Sequence, residues 1–273
     1  SIGEYAFMEN RSLTTAVLPS SVKNIKDSAF RGCSALKEVS FPENSEGIII
    51  GDSAFVNCDE LTEIVLNSVE EIGNGAFKTC DNLKSVTLDE GLLVIGPYAF
   101  DSTPYADIRL PDSLRVIGNY AFNYYKGVWD NSADVIRIGP NVSEIGYTAF
   151  SSIGATSFEV DPDNQYFESK NGFLMSKGGA KTITCPSGAE GEVFVPEGTL
   201  EIDDWTFSDA VKVTKVHIPS SVVRIGSVNF DEEYIHGEDG SIIDRVYNVT
   251  ICCEEGSYAY RFAMENGIPV EIE

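Results

Sequence analysis

Basic residues are scarce in this sequence. Its 273 residues include 19 lysines and arginines against 43 aspartates and glutamates, which gives a formal net charge of −24. Proteins that bind nucleic acids or anionic membranes need clustered cations to neutralise phosphate groups. The composition therefore argues against both kinds of partner, and it favours an acidic, soluble, outward-facing surface.

Long apolar runs are also missing. No run approaches the ~20 residues that a membrane-spanning helix requires. We expect no secretory leader within this sequence, because residues 2–7 already form a motif that recurs further along. We interpret the sequence as a mature form or as a fragment cut inside a repeat array, and we expect no membrane insertion of this part.

Catalytic signatures are absent too. Only two histidines occur, His217 and His236, and no nucleophile elbow, Walker loop, dinucleotide fingerprint or His-Glu-x-x-His motif is present. Acidic residues are abundant, but nothing in the sequence singles out a pair for acid–base chemistry. We therefore predict a protein that is not an enzyme, with no catalytic residues, no cofactor and no metal site.

What the sequence does contain is a repeat. A motif of the form Ile-Gly-x-x-Ala-Phe occurs nine times, the last two copies being degenerate, and the dominant spacing is 22–23 residues. The phenylalanines of the nine copies are Phe7, Phe30, Phe55, Phe77, Phe100, Phe122, Phe150, Phe207 and Phe230. Stacking such units would place each phenylalanine on the next and build a continuous core.

A second pattern lies between the copies and reads Leu-x-x-Val-x-Phe or Leu-x-x-Val-x-Leu, often followed by proline. Residues 36–42, 61–66 and 83–88 are examples. The alternation of apolar residues is typical of a half-buried strand, which a proline then ends. Each repeat is thus predicted to hold one short strand, and the stacked strands are predicted to form a parallel sheet.

The composite of the two patterns resembles the BspA-like leucine-rich repeat of bacterial cell-surface proteins, most clearly over residues 36–58 and 61–80. The fold predicted is an α/β-type, mainly β, right-handed leucine-rich-repeat solenoid with one parallel sheet, forming a single domain over 1–273. The resemblance implies a secreted or cell-surface location and a non-catalytic protein-binding role, such as adhesion to host matrix proteins or other cells.

Two segments interrupt the array. Residues 161–192 contain alternating runs around Asn171-Gly172 and Gly178-Gly179, which predict a β-hairpin excursion. Residues 254–273 predict a short helix from Ser257 to about Glu265, ended by Asn266-Gly267, that caps the last repeat.

Six cysteines are present, none in a Cys-x-x-Cys spacing. Cys33, Cys58 and Cys80 each follow a repeat phenylalanine by three residues, so they are predicted to be buried free thiols in one column. A disulfide between adjacent turns is the alternative. Cys252 and Cys253 are neighbours on a predicted strand, where Cys253 is expected to point inward and Cys252 outward.

The run Asp161-Pro162-Asp163-Asn164 superficially resembles an oxygen-rich calcium loop, but it lacks the glycine and glutamate of an EF-hand. A turn explains the same residues.

The exposed face of the stacked strands is the expected binding surface. On it, Arg109 and Arg137 are expected on consecutive strands, and His217 is also expected to point outward. Residues 123–130 form an insertion that carries Tyr124, Tyr125 and Trp129. These aromatics suit a protein partner or a sugar ring, or they pack on the flank of the array. A structural spacer that displays another domain is the remaining alternative.

Overall fold

The computed structural model describes residues 1–42, 47–104, 108–124, 135–227, 229–230, 232–236 and 242–273. The chain divides into two compact units, one of residues 1–154 and 160–166, the other of residues 155–159 and 167–273. The prediction of one domain over 1–273 stays a prediction. Among the described residues, no helix has the length and apolar character needed to cross a bilayer.

The first unit consists of short strands joined by tight turns. They are β1 (Thr15–Val17), β2 (Asn24–Ile25), β3 (Glu38–Ser40), β4 (Ile48–Ile50), β5 (Glu63–Leu66), β6 (Val69–Ile72), β7 (Ser85–Leu88), β8 (Val94–Ile95), β9 (Val116–Ile117), β10 (Val135–Ile138) and β11 (Glu144–Ile145). The mainly β solenoid that the repeats predict is confirmed.

Two parallel sheets, rather than the single one predicted, contain the strands of the first unit except β10, which belongs to a separate two-stranded sheet. One sheet has the order β1-β3-β5-β7 and contains the predicted strands. The other has the order β11-β9-β8-β6-β4-β2, and its strands end at the isoleucine of the Ile-Gly motif. These strands are mostly two residues long, which is too short for their alternation to be read from the sequence.

The motif phenylalanines stack as predicted. Their rings lie nearly parallel, with centroid separations of 5.1, 5.0, 5.1, 5.3, 5.4 and 5.6 Å from Phe7 through Phe150. Offset stacking adds to the free energy gained by burying each ring. The ladder runs through the core of the first unit, because Phe30, Phe55, Phe77 and Phe100 are all essentially inaccessible to solvent.

The second unit contains the hairpin excursion and the helix. Its elements, with the strand that precedes them, are β12 (Ser157–Val160), β13 (Phe167–Lys170), β14 (Phe173–Ser176), β15 (Lys181–Thr184), β16 (Glu190–Phe194), β17 (Glu201–Ile202), β18 (Lys212–His217), β19 (Arg224–Ile225), β20 (Glu232–His236), β21 (Ile242–Tyr247), β22 (Thr250–Cys253), α1 (Tyr258–Asn266) and β23 (Val270–Ile272).

The predicted excursion is an antiparallel meander of β13, β14 and β15. Its first turn uses Asn171 and Gly172, both with positive φ, as a tight hairpin turn requires. The meander then joins β17 and β19 in parallel. A second sheet of this unit is wholly parallel, with the order β16-β18-β22-β23, and β20 and β21 form a separate antiparallel pair.

The predicted C-terminal helix is confirmed and packs against β19, β22 and β23. The Ser257 side chain accepts a hydrogen bond from the backbone N–H of Tyr260, which caps the first turn. Gly267 ends the helix in the left-handed conformation at φ 72°.

The cysteine column has a defined bonding pattern. The Sγ atoms of Cys33, Cys58 and Cys80 lie 3.1, 3.4 and 3.1 Å from carbonyl oxygens of phenylalanines in neighbouring repeats. Thr103 takes the next place in the column, and its hydroxyl donates to the Phe77 carbonyl at 2.5 Å. The thiols therefore serve as buried donors between repeats, and the prediction of buried, unpaired cysteines is confirmed.

We expect none of the six cysteines to react readily with a thiol reagent such as Ellman's in the native protein at pH 8. Burial raises the pKa of all six thiols, and that of Cys80 and of Cys185 to about 12, so little reactive thiolate is expected at that pH. In denaturant all six should react, since all are free and buried in the fold. Fewer than six reactive thiols in denaturant, or a rapid native reaction, would contradict this.

Candidate protein-binding surface

The exposed face of the sheet in the first unit is built from alternate residues of its strands. In β5, Ile64 and Leu66 point into the core whereas Glu63 and Val65 point outward. The register places Val17 beside Ser40 and Ser40 beside Val65, so a row of small and apolar side chains crosses the sheet. A parallel row contains the two acids Glu38 and Glu63.

The two arginines predicted on the binding surface are both exposed, but only one of them lies in a strand. Arg137 lies in β10, as predicted. Arg109 belongs to no strand, so the expectation that the two lie on consecutive strands is not met. Pro104 and Pro111 flank the segment of Arg109, and proline has no N–H for a strand ladder.

The predicted aromatic loop falls mostly outside the described residues, which include Tyr124 but neither Tyr125 nor Trp129. Tyr124 is half-buried, and its backbone N–H donates to the Ser151 carbonyl at 3.2 Å. The proposed roles of Tyr125 and Trp129 therefore stay predictions.

A different aromatic ladder lies on the turns of the first unit. The rings of Tyr98 and Tyr120 stack at 5.0 Å, and Tyr147 meets Tyr120 edge-on at 5.3 Å. The ammonium of Lys78 lies 5.0 Å from the centre of the Tyr98 ring. This tyrosine ladder could have been predicted from the sequence, since each tyrosine occupies one of the two variable positions of the Ile-Gly-x-x-Ala-Phe motif.

His217, predicted as an outward residue, lies on the exposed face of the parallel sheet in the second unit. The register aligns Phe194, His217 and Cys252 on β16, β18 and β22. The rings of Phe194 and His217 stack with centroids 4.1 Å apart. Phe194 remains 54% exposed, whereas the His217 side chain is only 16% exposed.

Carboxylates hold the His217 imidazole in place. Its Nε2 lies 3.2 Å from a carboxylate oxygen of Glu192, and its Nδ1 contacts a carboxylate oxygen of Glu273. Next to it, the Lys215 ammonium bonds Glu271 at 2.7 Å, and this contact lowers the pKa of the Glu271 carboxyl. The result is a fixed array of polar groups around an exposed aromatic ring.

Cys252 lies on the same side of the sheet as His217, as predicted, but it is completely buried. Its register partners are His217 on β18 and Glu271 on β23, so β22 is flanked by a strand on each side. Cys253 is buried on the core side.

Phe194 also borders a cavity of about 710 Å³ beside the edge strand β16. Phe173, Cys185 and Val193 give its wall an apolar character, while Glu190 and Glu192 lie at its acidic side. Sequence reasoning missed Phe194, although an aromatic residue at an outward strand position was a usable signal.

Asp161-Pro162-Asp163-Asn164 forms a turn, in agreement with the favoured interpretation. The backbone N–H of Asp163 donates to the Asp161 carboxylate at 2.9 Å. Asn164 is fully buried, and its amide donates to the carbonyls of Gly139 and Val142. The turn residues are thus used in hydrogen bonds within the turn and to the backbone of Gly139 and Val142.

Solved structures similar to this chain are bacterial leucine-rich-repeat proteins. A leucine-rich cell-surface protein of Faecalibacterium prausnitzii matches with a TM-score of 0.55 at 24% identity, over 82% of this chain and 60% of its own. A leucine-rich repeat protein of Eubacterium ventriosum matches at 0.57 and 22%, over 78% and 62%. The pneumococcal vaccine antigen PcpA matches at 0.52 and 19%, over 95% and 79%.

These likenesses show the fold, and the chain spans about 60% of the length of the first two proteins. No curated protein shows significant sequence similarity to it. The BspA type leucine-rich repeat region, in contrast, matches residues 1–128, 48–178 and 130–236 in six copies. With the repeats, the phenylalanine ladder and the fold in agreement, the chain belongs to the BspA-type leucine-rich-repeat family.

Proposed function

We propose that this chain is a non-catalytic protein-binding module of a bacterial cell-surface or secreted protein, and that it acts in adhesion to host matrix proteins or to other cells. Its family and the cell-surface protein of similar fold support this role. Stacked repeats provide the extended, rigid surfaces on which such proteins bind partners.

One observation carries the proposal, namely the exposed ring of Phe194 on the parallel sheet β16-β18-β22-β23 of the second unit. Stacking on His217 holds the ring before any partner arrives, and the carboxylates of Glu192 and Glu273 fix the histidine. A preorganised aromatic side chain loses little entropy on binding and is a common interface hot spot. The acidic groups around it favour a partner with basic residues.

A binding screen against matrix proteins, mucin and glycans at ~0.15 M salt tests the proposal. We expect a saturable protein partner whose affinity falls at least tenfold in Phe194→Ala, the loss typical of a hot spot. Val223→Ala is the matched control, since Val223 is 63% exposed in the same unit but precedes β19 of the other sheet. It should bind normally.

If Phe194→Ala binds the partner as well as Val223→Ala does, the contact lies away from Phe194. Charge reversal of Arg109 and Arg137 would then be the next test. Binding to glycans alone, lost in Trp129→Ala, would favour the predicted loop of residues 123–130. No saturable binding to any ligand would favour a structural spacer.

A further inference from the structure

The structure assigns a second property to the sheet of the second unit. We propose that His217, Cys252 and Glu273 form a binding site for a divalent transition-metal ion, with Zn²⁺ as the best fit. The inference goes beyond partner binding and does not depend on it.

The three side chains come from three adjacent strands or strand ends. His217 and Cys252 are register partners on β18 and β22, and Glu273 directly follows β23. One potential ligand atom of each residue lies within 4.8 Å of the others. A bound Zn²⁺ would hold such atoms closer, at metal distances of about 2.0–2.3 Å. The half-exposed Glu273 side chain can make most of that adjustment.

Cys252 distinguishes this group from an ordinary surface cluster of acids. Its thiol is completely buried, yet it lies beside polar groups rather than in the apolar core. Among the described residues, no group forms a hydrogen bond with its Sγ. The column cysteines Cys58 and Cys80 differ, since their thiols are bonded to backbone carbonyls. A sulfur ligand aimed at an imidazole and a carboxylate is therefore available.

The surroundings suit a dication. The carboxylates of Glu192 and Glu273 contact the His217 imidazole, and those of Glu192 and Glu271 pair with the Lys215 ammonium. Binding would replace the thiol proton of Cys252, which leaves to solvent, and the metal would balance the thiolate and the Glu273 carboxylate. Sulfur, nitrogen and oxygen donors together favour Zn²⁺ over Ca²⁺ or Mg²⁺.

Glu192 would act as a positioning residue. Its carboxylate lies 3.2 Å from Nε2 of His217, so it can accept a hydrogen bond from the Nε2–H group and leave the lone pair of Nδ1 for the metal. Carboxylate–histidine–zinc arrangements of this kind orient the imidazole ligand in many metal sites. A water molecule or a partner's side chain would complete four-coordination.

Titration of the reduced protein with Co²⁺, followed by Zn²⁺ competition, tests the site. We expect one Co²⁺ per chain with a near-ultraviolet thiolate-to-cobalt charge-transfer band, which Zn²⁺ abolishes. Cys252→Ser should lose the band. Cys80→Thr is the matched control and should keep it, because Thr103 shows that the column accepts a hydroxyl.

His217→Gln and Glu273→Gln should each weaken Co²⁺ binding at least tenfold, and Glu192→Gln should weaken it about tenfold as a positioning residue does. Glu271→Gln should leave it nearly unchanged. These variants decide the question even if Cys252→Ser does not fold. The absence of a charge-transfer band in the wild type, or wild-type affinity for Co²⁺ in both the His217→Gln and the Glu273→Gln variants, would overturn the proposal. Neither result would bear on partner binding, which the Phe194→Ala variant tests separately.

Discussion

Replacing Phe77 by alanine is expected to lower the free energy of unfolding of the first unit by about 3–5 kcal/mol, the usual cost of removing a buried phenylalanine. Phe77 is completely buried and stacks on Phe55 and Phe100 at 5.1 and 5.3 Å. The variant removes both stacking contacts and leaves a cavity between rigid repeats. Chemical denaturation of the wild type and the variant, monitored by far-UV circular dichroism, measures the loss of unfolding free energy.

Phe7→Ala is the internal control for this result. Phe7 occupies the same motif position, but it is 40% exposed and has one stacking partner among the repeat phenylalanines, Phe30. Its replacement should cost about 1–2 kcal/mol, because less apolar surface leaves a buried environment. Equal effects of the two variants would contradict the idea that the ladder is the main source of stability in this unit.

The ladder was predictable from the sequence because it depends on identity and spacing alone. A large apolar residue that returns every 22–23 positions must occupy the same place in every turn of a stack. Cys33, Cys58 and Cys80 follow the same logic, and so does the helix that begins after Ser257. The residues that produce each of these features can be identified within one repeat or one short segment of the sequence.

The group around His217 could not be predicted in the same way. It joins residues of β16, β18, β22 and β23, which are separated by insertions of unequal length. The alignment of Phe194 with His217 and of His217 with Cys252 is a matter of strand register, which the insertions hide. The sequence indicated that His217 points outward, but it held no sign of which side chains surround it.

A glycine in a short turn segment often supplies tight backbone curvature, but the motif glycine has a different role in this structure. The residue with positive φ is a different one, two places later, as at Ser53, Tyr98 and Tyr120. The glycine is needed because neighbouring repeats approach closely. A Cβ at Gly96 would lie 2.8 Å from the carbonyl carbon of Gly73 in the preceding repeat.

Gly118→Ala is therefore expected to destabilise the first unit by about 1–3 kcal/mol, as overpacking usually does. The added Cβ would lie 2.3 Å from the backbone nitrogen of Pro97 and 2.6 Å from the carbonyl carbon of Gly96. Both contacts are with backbone atoms, so no side-chain rotation relieves them. Urea denaturation of the variant beside the wild type gives the change in unfolding free energy.

Gly3→Ala is the matched control, because Gly3 has the same motif position and a Cβ there meets no atom within 4 Å. It should leave stability unchanged or raise it slightly, since alanine restricts the unfolded chain. Lys26 shows that the second repeat accepts a side chain at this position. Gly118 differs, because its own Cβ would meet the backbone of Pro97 and Gly96 in the preceding repeat. If Gly118→Ala proves as stable as Gly3→Ala, the repeats can separate locally, and close backbone packing does not explain the glycine.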